Sequence, residues 1–160
     1  MPRLLAALLL GALASCHPGD ASPPDAGVVG GVRRAVSDDI LARAPETSKA
    51  TVKHILVSWG DLIRANPRRL TDPRAMNRTR AQAELLALEV LDKARAGDDF
   101  NQLMSKFSED PVTGRLGAPI EVRPTGQLEP GFQALGLRLH VGEVGICQTA
   151  YGFHVVQRVQ

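Results

Sequence analysis

An abrupt change in sequence character near residue 49 is the feature that most limits what this chain can fold into. Residues 17–48 are rich in proline, glycine, alanine and aspartate and follow neither a helical nor a strand period. They hold too few large apolar side chains to offset the entropy lost on ordering. We therefore predict a flexible tether over residues 16–48, interrupted at most by a helical turn or two in Ser37–Ala44. The folded part is then residues 49–160, about 110 residues, the size of one small domain.

The amino terminus has the pattern of an export signal. Arg3 precedes an apolar run, Leu4–Ala14, which is shorter than the roughly 20 residues that a membrane-spanning helix needs. We predict a signal peptide over residues 1–15. Leu13-Ala14-Ser15-Cys16 resembles the bacterial lipobox, which implies lipid attachment at Cys16 and a location on the periplasmic side of the cell envelope. In bacterial lipoproteins a residue other than Asp after the cysteine, here His17, implies the outer membrane where the cell has one. A plain signal peptide with a chance cysteine is the alternative.

The composition excludes several classes of protein. Nineteen Lys and Arg against seventeen Asp and Glu leave a net charge of +2, which gives no reason to expect a nucleic-acid partner. Two cysteines, Cys16 and Cys147, cannot form a disulfide-stapled scaffold or a cysteine-only zinc site. The four histidines lack metal-ligand spacing, so we expect no metal and no cofactor. We interpret Cys147 as a buried, inert thiol.

The folded part shows the pattern of an α+β domain. Thr51–Val57 alternates like a strand, and Ser58–Arg78 reads as a loop. A capping box at Thr79 opens a helix with the apolar stripe Ala81, Leu85, Leu88 and Leu91, which ends near Gly97. A short helix to Phe107, a loop over Ser108–Gly117, a strand at Ala118–Val122, a helix at Leu128–Leu139 and a hairpin of Glu143–Thr149 and Phe153–Val159 follow. The predicted order is β-α-α-β-α-β-β.

Three segments carry a resemblance to a known family. They are Lys53-His54-Ile55-Leu56-Val57, then Phe107-Ser108-Glu109-Asp110, and finally the set Gly126-Gln127-Leu128, Val141-Gly142-Glu143-Val144 and Gly152-Phe153-His154-Val155-Val156. In this order and spacing they resemble the parvulin-type peptidyl-prolyl cis-trans isomerases, over about residues 51–160. The resemblance implies the FKBP-like superfold, with a four-stranded antiparallel sheet surrounded by about three helices. Strand alternation independently allows His54 and His154 to share one face of the sheet if the first and last strands are neighbours.

The resemblance also implies a site. His54, His154 and Thr149 match the family's hydrogen-bonded histidine network, and Asp110 takes the position beside the isomerised imide. Leu116, Leu128, Phe132 and Gln127 match the substrate-binding pocket for the proline ring. The sequence departs from the family at Arg115, where Asp is usual, and the loop of residues 109–118 is shorter than in many bacterial parvulins. This departure motivates a second hypothesis, a non-catalytic peptide-binding chaperone with the same fold.

A cluster of arginines leaves one question open. Six arginines fall between residues 64 and 80, and Arg64, Arg68 and Arg69 are candidate anion-binding residues, for phosphoserine, acidic substrates or a membrane surface. An exported, lipid-anchored enzyme would meet few phosphoproteins, and a solvated arginine-rich loop needs no ligand. The partners we expect are unfolded or proline-containing client polypeptides and, through Cys16, the membrane. The oligomeric state is open, and a monomer is favoured.

Overall fold

A computed structural model of the chain describes residues 28–29, 32–68 and 72–160. The strands are β1 (Val28–Val29), β2 (Val32–Arg33), β3 (Ala50–Val57), β4 (Ile120–Val122), β5 (Val144–Thr149) and β6 (Gly152–Arg158). The helices are α1 (Asp38–Leu41), α2 (Gly60–Ala65), α3 (Arg80–Arg95), α4 (Phe100–Phe107), α5 (Thr113–Leu116) and α6 (Pro130–Gly136). The predicted signal peptide, Cys16, the start of the tether and Arg69 lie outside the described residues.

The central sheet is antiparallel and has the order β4-β3-β6-β5. The first and last of these strands along the chain, β3 and β6, are neighbours, with Leu56 opposite His154 and His54 opposite Val156. The longer helices α3, α4 and α6 complete the predicted order β-α-α-β-α-β-β. The α+β fold with a four-stranded antiparallel sheet is therefore confirmed.

Helices α3 and α4 cover one face of the sheet. Thr79 accepts a hydrogen bond from the backbone N–H of Gln82, whose side chain accepts from the N–H of Thr79, so the predicted capping box starts α3. The predicted apolar stripe was partly wrong, because Leu85 is 69% exposed and Ala81 is exposed as well. Small side chains let α3 approach the sheet closely, and its buried face consists of Ala83, Ala87, Leu88, Val90, Leu91 and Ala94.

Helix α6 covers the opposite face of the sheet. Pro130 stands in its first turn, where a missing N–H costs nothing, so the helix starts later than Leu128. Phe132, Leu135 and Gly136 are buried in the apolar layer between α6 and the strands. Cys147, on the same face of β5, is 1% exposed, and burial raises the pKa of its thiol to about 12. The prediction that Cys147 is buried is confirmed.

Part of the predicted tether is folded onto the domain, which corrects our boundary at residue 49. Residues 33–46, here called the strap, start on α3, where Arg33 forms a bidentate ion pair with Asp92. At the outer edge of β5, Ser37 N–H donates to the carbonyl of Ile146 at 2.8 Å, and Ser37 Oγ accepts from Ile146 N–H at 3.0 Å. Ile40 then enters the layer beneath α6 with 0% exposure.

Gly145 makes room for the strap. A Cβ at this position would lie 3.0 Å from Ile40 Cδ1 and 2.9 Å from Leu135 Cδ1. The strap therefore offsets its ordering entropy with few but deeply buried side chains, which a scan for hydrophobic periodicity does not detect.

Two predicted loops contain short helices. Residues 58–78 include α2 and a 3₁₀ turn at Pro73–Ala75, which starts where the Asp72 carboxylate accepts the backbone N–H of Arg74. Residues 108–117 include the single turn α5, and just before it the Asp110 carboxylate accepts the backbone N–H groups of Val112 and Thr113. In both cases an aspartate side chain supplies a capping acceptor that the polar composition concealed. None of the helices in the described ranges is long and apolar enough to cross a membrane.

Candidate active site

A cavity of about 240 Å³ opens between α6, the start of β4 and the loop that carries Asp110. It brings together six of the residues singled out in the sequence: His54, Asp110, Gln127, Leu128, Phe132 and His154. Ile120, Glu129 and Tyr151 complete its lining. The described cavity therefore lies where the sequence motifs, taken together, predicted a site.

The strand register creates a pair of stacked histidines. Because Leu56 is opposite His154 and His54 is opposite Val156, the two imidazoles are diagonal neighbours on one face of the sheet. Their rings stack with centroids 5.3 Å apart and an angle of 19° between the planes. Phe132 of α6 contacts both rings edge-on, at 5.2 Å and 5.3 Å. Both histidines are buried, at 3% and 6% exposure, which fixes their orientation.

Hydrogen bonds extend from the histidine pair in both directions. The two Nδ1 atoms are 3.1 Å apart, His154 Nε2 lies 2.8 Å from Thr149 Oγ1, and His54 Nε2 lies 2.7 Å from Thr113 Oγ1 and 3.2 Å from Asp110 Oδ2. Thr149 Oγ1 also accepts the backbone N–H of Tyr151. The structure thus places Thr149, as predicted from the resemblance, at one end of this network.

The carboxylate of Asp110 sets the direction of these hydrogen bonds. Burial alone would raise the pKa of Asp110, but hydrogen bonds from His54 and from the backbone N–H groups of Thr113 and Val112 outweigh it and lower the pKa well below its ordinary value. An ionised carboxylate only accepts, so His54 donates from Nε2. In the uncharged pair, His54 Nδ1 then accepts from His154 Nδ1–H, and His154 Nε2 accepts the hydroxyl proton of Thr149. Each hydrogen bond between Asp110, His54, His154 and Thr149 then has a defined donor and acceptor.

His154 is held in the neutral form. Burial and the neighbouring His54 lower its pKa from 6.5 to about 3, against the opposing effect of Asp110. A second proton on His154, at Nε2, would also break the hydrogen bond from the Thr149 hydroxyl, because Nε2 could no longer accept. Asp110 is therefore a fixed negative charge beside an uncharged His154 at neutral pH.

Leu116 does not line the cavity, which differs from the prediction. It is 77% exposed at the end of α5, because the loop folds into a helical turn that brings Thr113, at its other end, against His54. Sequence reasoning missed Thr113, Ile120, Glu129 and Tyr151. Strand alternation could have indicated Ile120. Glu129 directly follows the predicted site residue Leu128, and Tyr151 lies two residues after Thr149. Thr113 carried no signal, because the turn that orients it was predicted as a loop.

Two of the three candidate anion-binding arginines, Arg64 and Arg68, do not line this cavity. Arg64 pairs with Asp61 on the surface, and Arg68 lies in a separate depression with Ala65, Asn66 and Pro67. Arg69 falls outside the described residues. The residues that line the cavity include two carboxylates, Asp110 and Glu129, and within the described part of the chain no lysine or arginine. The same part of the chain holds no group of three side chains suited to a metal ion.

Fold and cavity together define the class. A four-stranded antiparallel sheet with a histidine pair beneath a carboxylate-bearing loop and a short helix is a parvulin-like arrangement. The family model described as the PPIC-type PPIASE domain matches residues 40–160. The chain belongs to this family of peptidyl-prolyl isomerase domains.

Individual relatives agree with this assignment. The chain is 28% identical over 118 residues to a Chaperone SurA from Hahella chejuensis, with 73% of this chain and 23% of the relative covered. It is 32% identical over 74 residues to a Foldase protein PrsA from Halalkalibacterium halodurans, with 46% and 22% covered. The chain thus spans less than a quarter of the length of these curated relatives.

Solved structures share the fold. The crystal structure of the PPIase domain of TbPar42 has a TM-score of 0.57 at 26% identity. The match covers 69% of this chain and 99% of the TbPar42 domain. The peptidyl-prolyl isomerase ESS1 from Candida albicans has a TM-score of 0.58 at 23% identity. The match covers 74% of this chain and 66% of the ESS1 chain.

Proposed function

We propose that the protein is a peptidyl-prolyl cis-trans isomerase that rotates Xaa-Pro bonds in client polypeptides. The observation that carries this proposal is the contact between a small, partly apolar cavity and an ionised carboxylate. Leu128, Phe132 and Ile120 offer an apolar wall against which a proline ring can pack, and Asp110 lies at the same cavity. Membership of the isomerase family supports the same reaction.

The reaction needs little chemistry from the protein. The barrier to X-Pro rotation, near 20 kcal/mol, arises from the double-bond character of the C–N bond. A negative charge near the imide disfavours the planar form, in which the carbonyl oxygen carries most negative charge, more than the twisted form. Asp110, held by His54 and two backbone N–H groups, supplies that charge without reorganising during the reaction. No nucleophile or metal is required.

A protease-coupled cis-trans assay on Xaa-Pro peptides tests the proposal. We expect acceleration above the uncatalysed rate at micromolar protein. Absence of acceleration, together with retained binding of unfolded proteins, would instead establish the non-catalytic chaperone that the shortened 109–118 loop and the SurA relative suggest. Absence of both would refute either role.

The substitution Asp110→Asn isolates the catalytic charge. Asparagine keeps an oxygen that accepts the N–H groups of Val112 and Thr113, so α5 should stay folded. We expect kcat/KM to fall about tenfold, the effect of losing roughly 1.4 kcal/mol of transition-state stabilisation. The isomerase assay measures the rate, and circular dichroism checks the fold. An unchanged kcat/KM would remove Asp110 from the reaction.

Cavity charge predicts a preference among peptides. Because Asp110 and Glu129 line the cavity, we expect a peptide with lysine before proline to be isomerised faster than one with phosphoserine. Glu129→Gln removes one of the two charges. It should bring the ratio of kcat/KM for the lysine peptide to kcat/KM for the phosphoserine peptide closer to one. A faster reaction with phosphoserine would return the anion-binding role to Arg64, Arg68 and Arg69.

We further propose that the protein acts on exported clients in the cell envelope, held by a lipid on Cys16. The basic and apolar start of the sequence, the motif Leu13–Cys16 and the relationship to proteins named foldase and chaperone support this location. Labelling of cells with radioactive palmitate should mark the wild type and spare Cys16→Ser. Equal labelling of both would defeat the anchor, and membrane fractionation would test the preference for the outer membrane.

A further inference from the structure

The residue that precedes Asp110 is charged and almost completely buried. Glu109 is 3% exposed, and its carboxylate accepts hydrogen bonds from Ser58 N–H at 2.7 Å and from Arg78 Nη1 at 2.6 Å. Burial raises the pKa of Glu109 against the opposing effect of these donors. A buried ion pair of this kind is a weak source of stability, because its desolvation cost cancels much of its attraction. Its presence beside the site therefore calls for another role.

Glu109 is fastened to the strand that carries His54. Its backbone N–H donates to the carbonyl of Leu56 at 2.9 Å, and its side chain reaches the N–H of Ser58. Arg78 closes the arrangement by donating to the carbonyl of Ser58 at 3.0 Å as well as to Glu109. The position of residue 109 relative to β3 is thus fixed by backbone and side chain together. Asp110, one peptide bond further, starts from this point.

A second arginine holds the same loop from outside. Arg74 donates to the carbonyls of Lys106 at 2.8 Å and Ser108 at 2.6 Å, and Asp72 holds its guanidinium in place. Arg74 and Arg78 both belong to the segment after α2. Both donate hydrogen bonds to groups of the chain segment just before Asp110.

We propose that the Arg78–Glu109 ion pair, supported by Arg74, positions Asp110 against His54 for the isomerisation reaction. These are positioning residues: none of the three lines the cavity, and each acts on the reacting groups through the backbone of residues 106–110. The proposal rests on the proposed isomerase activity. Loss of the ion pair would let Asp110 move away from the imide, and misplacement by about 1 Å is enough to lower a rate by up to a hundredfold.

A double-mutant cycle separates positioning from simple destabilisation. We expect Glu109→Gln to lower kcat/KM about tenfold in the wild type and less than twofold in an Asp110→Asn background, because the charge being positioned is then absent. Equal losses in both backgrounds would overturn the proposal. Glu143→Gln is the matched control: it breaks the Arg43–Glu143 pair of the strap, neither residue of which lines the cavity, and should leave kcat/KM unchanged.

A surface variant and a spectroscopic measurement cover the case in which Glu109→Gln does not fold. Arg74 is half-exposed, so Arg74→Gln should fold and lower kcat/KM about threefold in the same Asp110-dependent way. In ¹⁵N spectra, the Nε2–H resonance of His54 should move in Arg74→Gln and Asp110→Asn and stay in Glu143→Gln. Unmoved His54 resonances in Arg74→Gln would refute positioning. If the wild type proves inactive, the isomerase proposal fails, and this measurement still decides whether the arginines position Asp110.

Discussion

Ile40→Ala is expected to lower the free energy of unfolding by about 2–5 kcal/mol, the range for truncating a fully buried aliphatic side chain. Ile40 has 0% exposure and fills the space above Gly145, between Leu135 and Leu139. The substitution removes most of this contact and leaves a cavity beneath α6. Urea denaturation followed by circular dichroism measures the loss. A domain of this size has only about 5–15 kcal/mol in total, so the variant should be markedly less stable.

Leu85→Ala is the control for this experiment. Leu85 is also a helical aliphatic residue, but it is 69% exposed, so its truncation should change the free energy of unfolding by less than about 0.5 kcal/mol. Equal effects of the two substitutions would mean that the strap does not pack on the domain in solution. The sequence-based prediction of a flexible tether up to residue 48 would then stand.

Acid is expected to destabilise the protein through His154. The pKa of His154 is 6.5 in an unfolded chain and about 3 in the folded protein, because burial disfavours its charged form. Between these values the unfolded state binds the additional proton, so stability is lost as the pH falls below 6.5. The slope is about 1.4 kcal/mol per pH unit, which amounts to about 2 to 3 kcal/mol between pH 6.5 and 4.5.

Two variants identify the source of this pH dependence. In His154→Gln, the free energy of unfolding should depend less steeply on pH between pH 6.5 and 4.5 than in the wild type. The difference in slope should be about 1.4 kcal/mol per pH unit, the effect of one proton, whatever the absolute stability of the variant. His140→Gln removes an exposed imidazole and is the comparison variant against which the slope of His154→Gln is judged. Urea titrations at several pH values give these slopes. If His154→Gln retained the full slope, another group would be responsible.

The strands and the histidine pair could be predicted from the sequence, whereas their surroundings could not. Alternation placed His54 and His154 on defined faces, and the antiparallel neighbourhood of β3 and β6 was enough to bring them together. The structure of short segments was harder to predict, because a few side-chain contacts determine it and no repeating hydrophobic pattern marks it. Thr113 reaches His54 from a single helical turn whose first N–H group is held by Asp110. Ile40 holds the strap from within a segment whose composition resembles a linker.

The partners of the charged residues were the second feature that could not be predicted from the sequence. In the sequence, Arg74, Arg78 and Arg64 belong to one polar cluster, and nothing in that pattern distinguishes a buried partner from a surface pair. The structure separates them: Arg78 reaches a buried carboxylate at Glu109, and Arg64 remains on the surface with Asp61. Long-range pairing of this kind depends on the whole fold, so composition and local spacing do not reveal it.

The path of the strap determines how the domain can be attached to anything else. At Arg33 the chain lies on α3, and it crosses the edge of β5 before it reaches the layer of α6. The cavity opens on the α6 side of the sheet. A fusion partner or support joined ahead of residue 33 would therefore be connected at the back of the domain and leave the mouth of the cavity accessible to a large polypeptide.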